Sequence, residues 1–352
     1  MRTILIFLFI SAPRTNPNVP SMKSSVSAMN TPSQSVSVTP VKQTRPATPE
    51  LPTVPCPMVT STHDSLLEEA FQCEAEDSVL EEEIRENSKM MSEAIMKMVS
   101  TISESVQDEK DEELELPDTL LSEDNTEFII VKSSSPQFIN VHFIGETASR
   151  ILFSTVYWLR QLPYFASLHL NNQIKLLSRC WLDLFVLGLA QRQDSVHLDQ
   201  ILESVADNMK NMEDAERPSL IRVRQVTHNI IKLKEYVTGL NKLELTETEF
   251  GLLKLICVFN SDPASVNSDY YEKISDTALS ELRDQPKNQS EGSETRYSKV
   301  LLRLSPLRSL QDDVFEEVFF GGLIGSVQIE TVIPILLKME HSELQQYLTS
   351  QN

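Results

Sequence analysis

The run Cys180 to Ala190, CWLDLFVLGLA, is apolar on nearly every side apart from Asp183. A surface helix carries a single apolar stripe, so a helix without a polar face must be covered by protein all round. That requires other helices packed on both of its sides, the middle position of a layered stack. The fold class that follows is an all-α, three-layer antiparallel helical sandwich. Where such a stack is thin at one end, its apolar side chains line a cavity of the kind lipophilic ligands occupy.

The flanking sequence supplies the other layers. Ile144, Ala148, Ile151, Leu152, Thr155, Leu159 and Leu162 recur at helical spacing and stop at Leu162-Pro163, because proline disfavours helix in the residue before it. Periodicity predicts further helices over 198–212, 219–240, 247–259, 268–284, 293–323 and 329–347, and strand alternation only around Gln193 to His197. These elements define a domain over residues 137–352.

The preceding chain has a different texture. Residues 1–62 are dominated, from about position 13, by Pro, Ser, Thr, Val and Gln, a composition that cannot bury enough surface to offset chain entropy and reads as a hinge-like tether. Residues 63–136 are acidic. Within them Ser78-Val79-Leu80-Glu81 fits a capping box, and Leu80, Ile84, Met91, Ile95, Met98, Val99 and Ile102 predict an amphipathic helix over about 78–105.

Charge excludes one class of partner. At a net charge of −20, Coulomb attraction to phosphate backbones or acidic membranes is not what drives this chain. Its four cysteines, Cys56, Cys73, Cys180 and Cys257, form no C-x-x-C pair and signal neither a disulfide scaffold nor structural zinc. The opening MRTILIFLFISA has the shape of a minimal secretory signal, but is read here as incidental.

Several ordered motifs together resemble one family. LPYFASLHLNNQIKLLSRCWLDLFVLGLAQR is similar to the signature region of nuclear receptor ligand-binding domains. TETEFGLLKLICVFNSD resembles the family's eighth helix, YSKVLLRLSPLRSL its dimer-forming tenth, and VFFGGLIGSVQIETVIPILLKME its end with the activation helix. VHFIGETASRILF, LGLAQ, GLIG and IPILLKME resemble the testicular orphan receptors, as in an invertebrate relative. The resemblance spans about 137–347. It lacks the family's zinc module for reading DNA, since no cysteines have the spacing, so no direct DNA contact is expected of this chain.

The resemblance implies a nuclear location and a set of site residues. A leucine-rich coactivator or corepressor helix would lie in a surface groove, held by a basic residue and a glutamate at its dipole ends. The basic role falls to Arg160, with Lys175 second, while Ile335 stands where the glutamate is expected. Ile333, Leu336 and Leu337 themselves have the spacing of the coactivator motif, so the last helix is expected either to lie in its own groove, a repressive ground state, or to pack as an ordinary apolar helix. Arg192, with Ile151, Leu152, Thr155, Leu184 and Phe185, is the ligand-binding set. Arg192 has two possible partners, a protein carboxylate or a retinoid-like or fatty acid, and the cavity is alternatively filled by side chains. No other cofactor is implied. Leu301, Leu302, Leu304, Leu307 and Leu310 form the expected dimer face, for a homodimer or a retinoid X receptor-like heterodimer, with Pro306 kinking it. Glu249 and Arg303 are expected to form a fold-holding salt bridge.

Two other functions compete. Without a DNA module the chain could act by titrating receptor partners or coregulators. An enzyme would need Cys180, beside Arg179, as a nucleophile, but the apolar run around it favours an inert thiol.

Overall fold

The structure, a computed structural model, describes residues 89–90, 92–97, 115–122, 125–130, 139–212, 220–260, 267–289, 294–325 and 327–349. The 1–62 tether and most of the helix expected over 78–105 lie outside these residues. Its described part, 89–90 and 92–97, is helical, with Ile95 buried in the main core.

The described chain is all-α. Helix α1, Val141–Gln161, begins where the Asn140 side chain accepts a hydrogen bond from the Phe143 amide at 2.9 Å. It ends at Leu162, extended before Pro163 as expected. The short α2, Pro163–Ala166, turns the chain into α3, Leu170–Gln191. There follow α4, Leu198–Met212; α5, Leu220–Asn241; α6, Glu247–Phe259; α7, Ser268–Asp284; and α8, Pro286–Gln289. The region expected as one helix over 293–323 is divided into α9, Glu294–Leu302; α10, Leu304–Leu307; and α11, Asp312–Ile324. The break at Arg303 lies just before Pro306, whose ring and missing N–H cannot continue the preceding turn. The last pair is α12, Ile329–Lys338, and α13, His341–Thr349.

Helix α3 is the middle of the sandwich, touching α1, α5, α6, α10 and α12. Every residue from Cys180 to Ala190 is buried except Asp183, as an apolar circumference requires. The strand alternation read at 193–197 is instead a turn, closed by Ser195 and Val196 amides donating to the Arg192 carbonyl, with His197 at φ 54°.

Packing extends further toward the N terminus than residue 137. Irregular segments 115–122 and 125–130 lie on the domain and bury Leu120, Leu121 and Phe128. Side chains of the helices hold their backbone. Tyr164 donates to the Leu120 carbonyl, Trp158 Nε1 to that of Asn125, and Arg192 Nε to that of Phe128 at 2.8 Å. These bonds supply the partners that an irregular buried segment cannot supply for itself.

Helices α1 and α11 cross unusually closely. A Cβ on Gly322 would lie 1.8 Å from Val141 Cγ1, and one on Gly145 2.6 Å from Leu323 Cγ. Only glycine permits this approach, which draws α11 and its aromatic residues onto the interior.

Candidate functional site

The C-terminal end of α1 and the adjoining face of α3 carry α12. On α12 the apolar residues Ile333, Leu336 and Leu337 are all buried. Their i, i+3, i+4 spacing puts them on one face, and Pro334 and Ile335 between them are buried as well, so α12 is covered on more than one side. At the C-terminal end of α12, Arg160 Nη1 donates to the Met339 carbonyl at 2.6 Å. The carbonyls of the last turn have no partner within their own helix, so a cation at this end satisfies one of them and opposes the dipole. Burial pulls the Arg160 guanidinium down from its ordinary pKa, and the Glu340 carboxylate opposes that. Lys175, the second basic candidate, is exposed on α3. Ile335 is buried and offers no hydrogen-bonding group where a glutamate was expected.

The ligand-binding set is packed against protein. Ile151, Leu152, Leu184 and Phe185 are buried, and the Thr155 hydroxyl donates back to the Ile151 carbonyl at 2.8 Å. Around Phe185 lies an aromatic cluster. Its ring centroid is 5.2 Å from that of Phe319 and 5.3 Å from that of Phe320, both on α11, and Trp181 stands edge-on to Phe320. Such edge and tilted contacts are the favoured arrangements of aromatic pairs.

Arg192 is paired with a protein carboxylate. Its Nη1 and Nη2 bond both carboxylate oxygens of Glu247, at 2.6 and 2.8 Å, while Nε serves the Phe128 carbonyl. Of the two partners the sequence left open, the structure supplies the protein carboxylate. Three of the five guanidinium N–H donors are thus taken by protein oxygens.

Beside it lies a residue that sequence reading missed. Lys254, in the middle of α6, is buried, bonds the Gln191 side chain at 2.6 Å, and stands 3.2 Å above the centre of the Phe128 ring. Burial pushes its pKa well below a lysine's ordinary value, Arg192 adds to that, and Glu247 opposes it. The ring face returns part of the lost hydration. Gln191 completes the lattice by donating to Glu247.

The expected Glu249–Arg303 salt bridge is corrected. Glu249, wholly buried, pairs with Arg296, and Arg296 also serves the Leu243 carbonyl. The same carboxylate accepts from the Thr246 amide and closes a capping box at the start of α6. Arg303 instead lies against Gly239 of α5.

The expected dimer face is divided. Leu302 is 68% exposed, whereas Leu307 is buried within its own domain, and Leu301, Leu304 and Leu310 are half-buried against the core. Leu307 is therefore withdrawn from that face. Cys180 is buried, its thiol donating to the Leu176 carbonyl, and burial raises its pKa, so it is held as a thiol rather than a nucleophilic thiolate.

Sequence comparison agrees with this architecture. Residues 130–324 match the ligand-binding domain of nuclear hormone receptor. This chain belongs to the nuclear receptor ligand-binding-domain family. It is 39% identical over 232 residues to orphan steroid hormone receptor 2 of Strongylocentrotus purpuratus, a match covering 65% of this chain and 40% of that one. It is 35% identical over 238 residues to nuclear receptor subfamily 2 group C member 2 of Homo sapiens, covering 67% and 40% respectively. The chain thus spans about 40% of the length of these curated relatives. Among solved structures, the Ultraspiracle ligand-binding domain from Drosophila melanogaster aligns with a TM-score of 0.43 at 17% identity, covering 71% of this chain and 98% of that one.

Within this nuclear receptor domain, three further contacts lay beyond sequence reading. They are the Arg160–Met339 bond, a 4.6 Å stack of His341 on Tyr157, and Arg179 bonding the Asn260 carbonyl at the end of α6. All three join segments whose distance along the chain gives no periodic signal.

Proposed function

We propose that this domain regulates transcription in the nucleus by exchanging coregulator peptides in the groove between α1 and α3, with its own α12 occupying that groove in a repressive ground state. The observation that carries this reading is the shape of α12. It carries an apolar residue, two intervening positions and a Leu336-Leu337 pair, all three apolar side chains buried, and the carbonyl at its C-terminal end meets a basic residue of α1. That is how a leucine-rich coregulator helix would be held. Exchange then depends on displacing α12, because two helices cannot share one groove.

The interior reading is a domain that works without an acidic ligand. The aromatic cluster around Phe185 and the engagement of Arg192 by Glu247 support it. Dimerisation, with a second copy or a retinoid X receptor-like partner, would use the exposed Leu302. The deciding experiment measures affinity for a leucine-rich coactivator peptide before and after deletion of residues 329–352, with helical content checked by circular dichroism. We expect affinity to rise by about tenfold or more, the scale on which removing an intramolecular competitor acts. Unchanged affinity in a folded deletion variant sinks the self-occlusion reading.

A further inference from the structure

Helix α13 does not trail into solvent after α12. It packs along α1, and its Leu344 and Leu348, one turn apart, are buried on the face toward the domain. At its start the His341 ring lies on that of Tyr157, with centroids 4.6 Å apart and planes at 27°. Tyr157 and Arg160 are themselves neighbours on α1, one turn apart. The last turns of α1 therefore hold both helices: Arg160 bonds the carbonyl of Met339, which is itself buried between them, and Tyr157 receives α13. The linker is tight, because the Glu343 and Leu344 amides both return to the Glu340 carbonyl.

We propose that α13 is a second self-ligand, and that the docking surface on this domain is two helices long. This rests on the groove reading above. The occupant it fits is a bipartite amphipathic peptide: one helix with an apolar residue, two intervening positions and a Leu-Leu pair, a tight turn, then a second helix with leucines at i and i+4. The argument for this partner is the shape of what already fills the surface, since α12 and α13 are a bound example of it. Two consequences follow. A peptide with only the first helix competes against both helices of the chain, and loosening α13 alone favours release of α12.

The test uses the full chain, wild type and with Leu344→Ala and Leu348→Ala together. Labelled peptides reproducing residues 329–339 and 329–349 are titrated by fluorescence anisotropy, and amide exchange of α12 is followed by mass spectrometry. The double variant is expected to bind the longer peptide about tenfold more tightly than wild type does, and more tightly than it binds the shorter one, as linked sites require. Its α12 amides should exchange faster. His341→Ala, at an exposed position, guards against misfolding and should shift both readouts in the same direction by roughly threefold, the scale of one lost ring contact. Equal affinity for the two peptides, or unchanged α12 exchange, overturns the two-helix surface while leaving groove occlusion standing, provided the shorter peptide binds. If neither peptide binds either variant or the 329–352 deletion, the groove reading itself has failed, and this inference with it.

Discussion

The start of α6 and the C-terminal pair α12–α13 are both tied to α1 and α3 or their neighbours, but by different chemistry. At the start of α6, Glu247, Glu249, Arg192, Arg296, Lys254 and Gln191 form charged and polar contacts that join distant segments. Along α12 and α13 the contacts are mostly apolar, with the Ile329 amide donating to Glu316, Arg160 to Met339, and the His341–Tyr157 stack among the additions. A buried ion pair is costly to break one partner at a time, whereas an apolar helix on a rim can lift off as a unit. Under the function proposed above, the first is the part of the domain that stays closed and the second the part that opens for a coregulator peptide.

The sharpest way to break this contrast is Glu249→Ala. The substitution leaves the half-buried Arg296 without its carboxylate and opens the capping box of α6. Loss of about 3–5 kcal/mol of unfolding free energy is expected, measured by chemical denaturation. A loss under about 1 kcal/mol would mean that this lattice is no firmer than the rim.

Next in size is a pH effect. Burial raises the Asp183 carboxyl from its ordinary 3.8 to about 6, with Arg308 at 3.8 Å lowering it and Asp312 raising it. The unfolded chain loses this proton near pH 4, while the folded domain keeps it to about pH 6. The folded state therefore binds the proton more strongly, and its contribution is complete below pH 4 and lost as pH rises through 6. The difference corresponds to about 2–3 kcal/mol. Asp183→Asn should flatten the stability profile between pH 4 and 6 and gain stability above it. An unaltered profile would show that Asp183 is solvated, and that the middle layer is less tightly covered than α3 requires.

Legibility from sequence divides along related lines. The buried helix, the helix order and the ends set by proline were readable because each follows from local periodicity or backbone restriction. The pairing of Glu249 with Arg303, which came from the family resemblance, failed for a definite reason, since Arg296 is the partner. The two residues are seven positions apart, close to two helical turns, so they share a face and spacing cannot tell them apart. The break at Arg303 decides the matter in space. Lys254 was missed because one lysine within GLLKLICVF reads as a side chain reaching outward. Its partners Gln191 and Phe128 come from other segments. The spacing of Ile333, Leu336 and Leu337 along α12 was legible, but the Met339 carbonyl that meets Arg160 was not, because a backbone acceptor leaves no trace in residue identity.

The smallest expected effect, and the most informative about α12, comes from Leu336→Ala. In a domain core, truncating a leucine this well buried removes about 2–5 kcal/mol. If α12 opens as a local unit, most of that loss falls on the open–closed equilibrium of the helix and little on global unfolding. Denaturant-derived stability should then fall by under about 1 kcal/mol, while α12 amides exchange at least roughly tenfold faster and those of α6 are unchanged. A loss of the full core size, with α6 exchange rising in step, would show that α12 unfolds only with the whole domain. The rim would then be as closed as the lattice, and a coregulator peptide would find no groove to enter without unfolding its host.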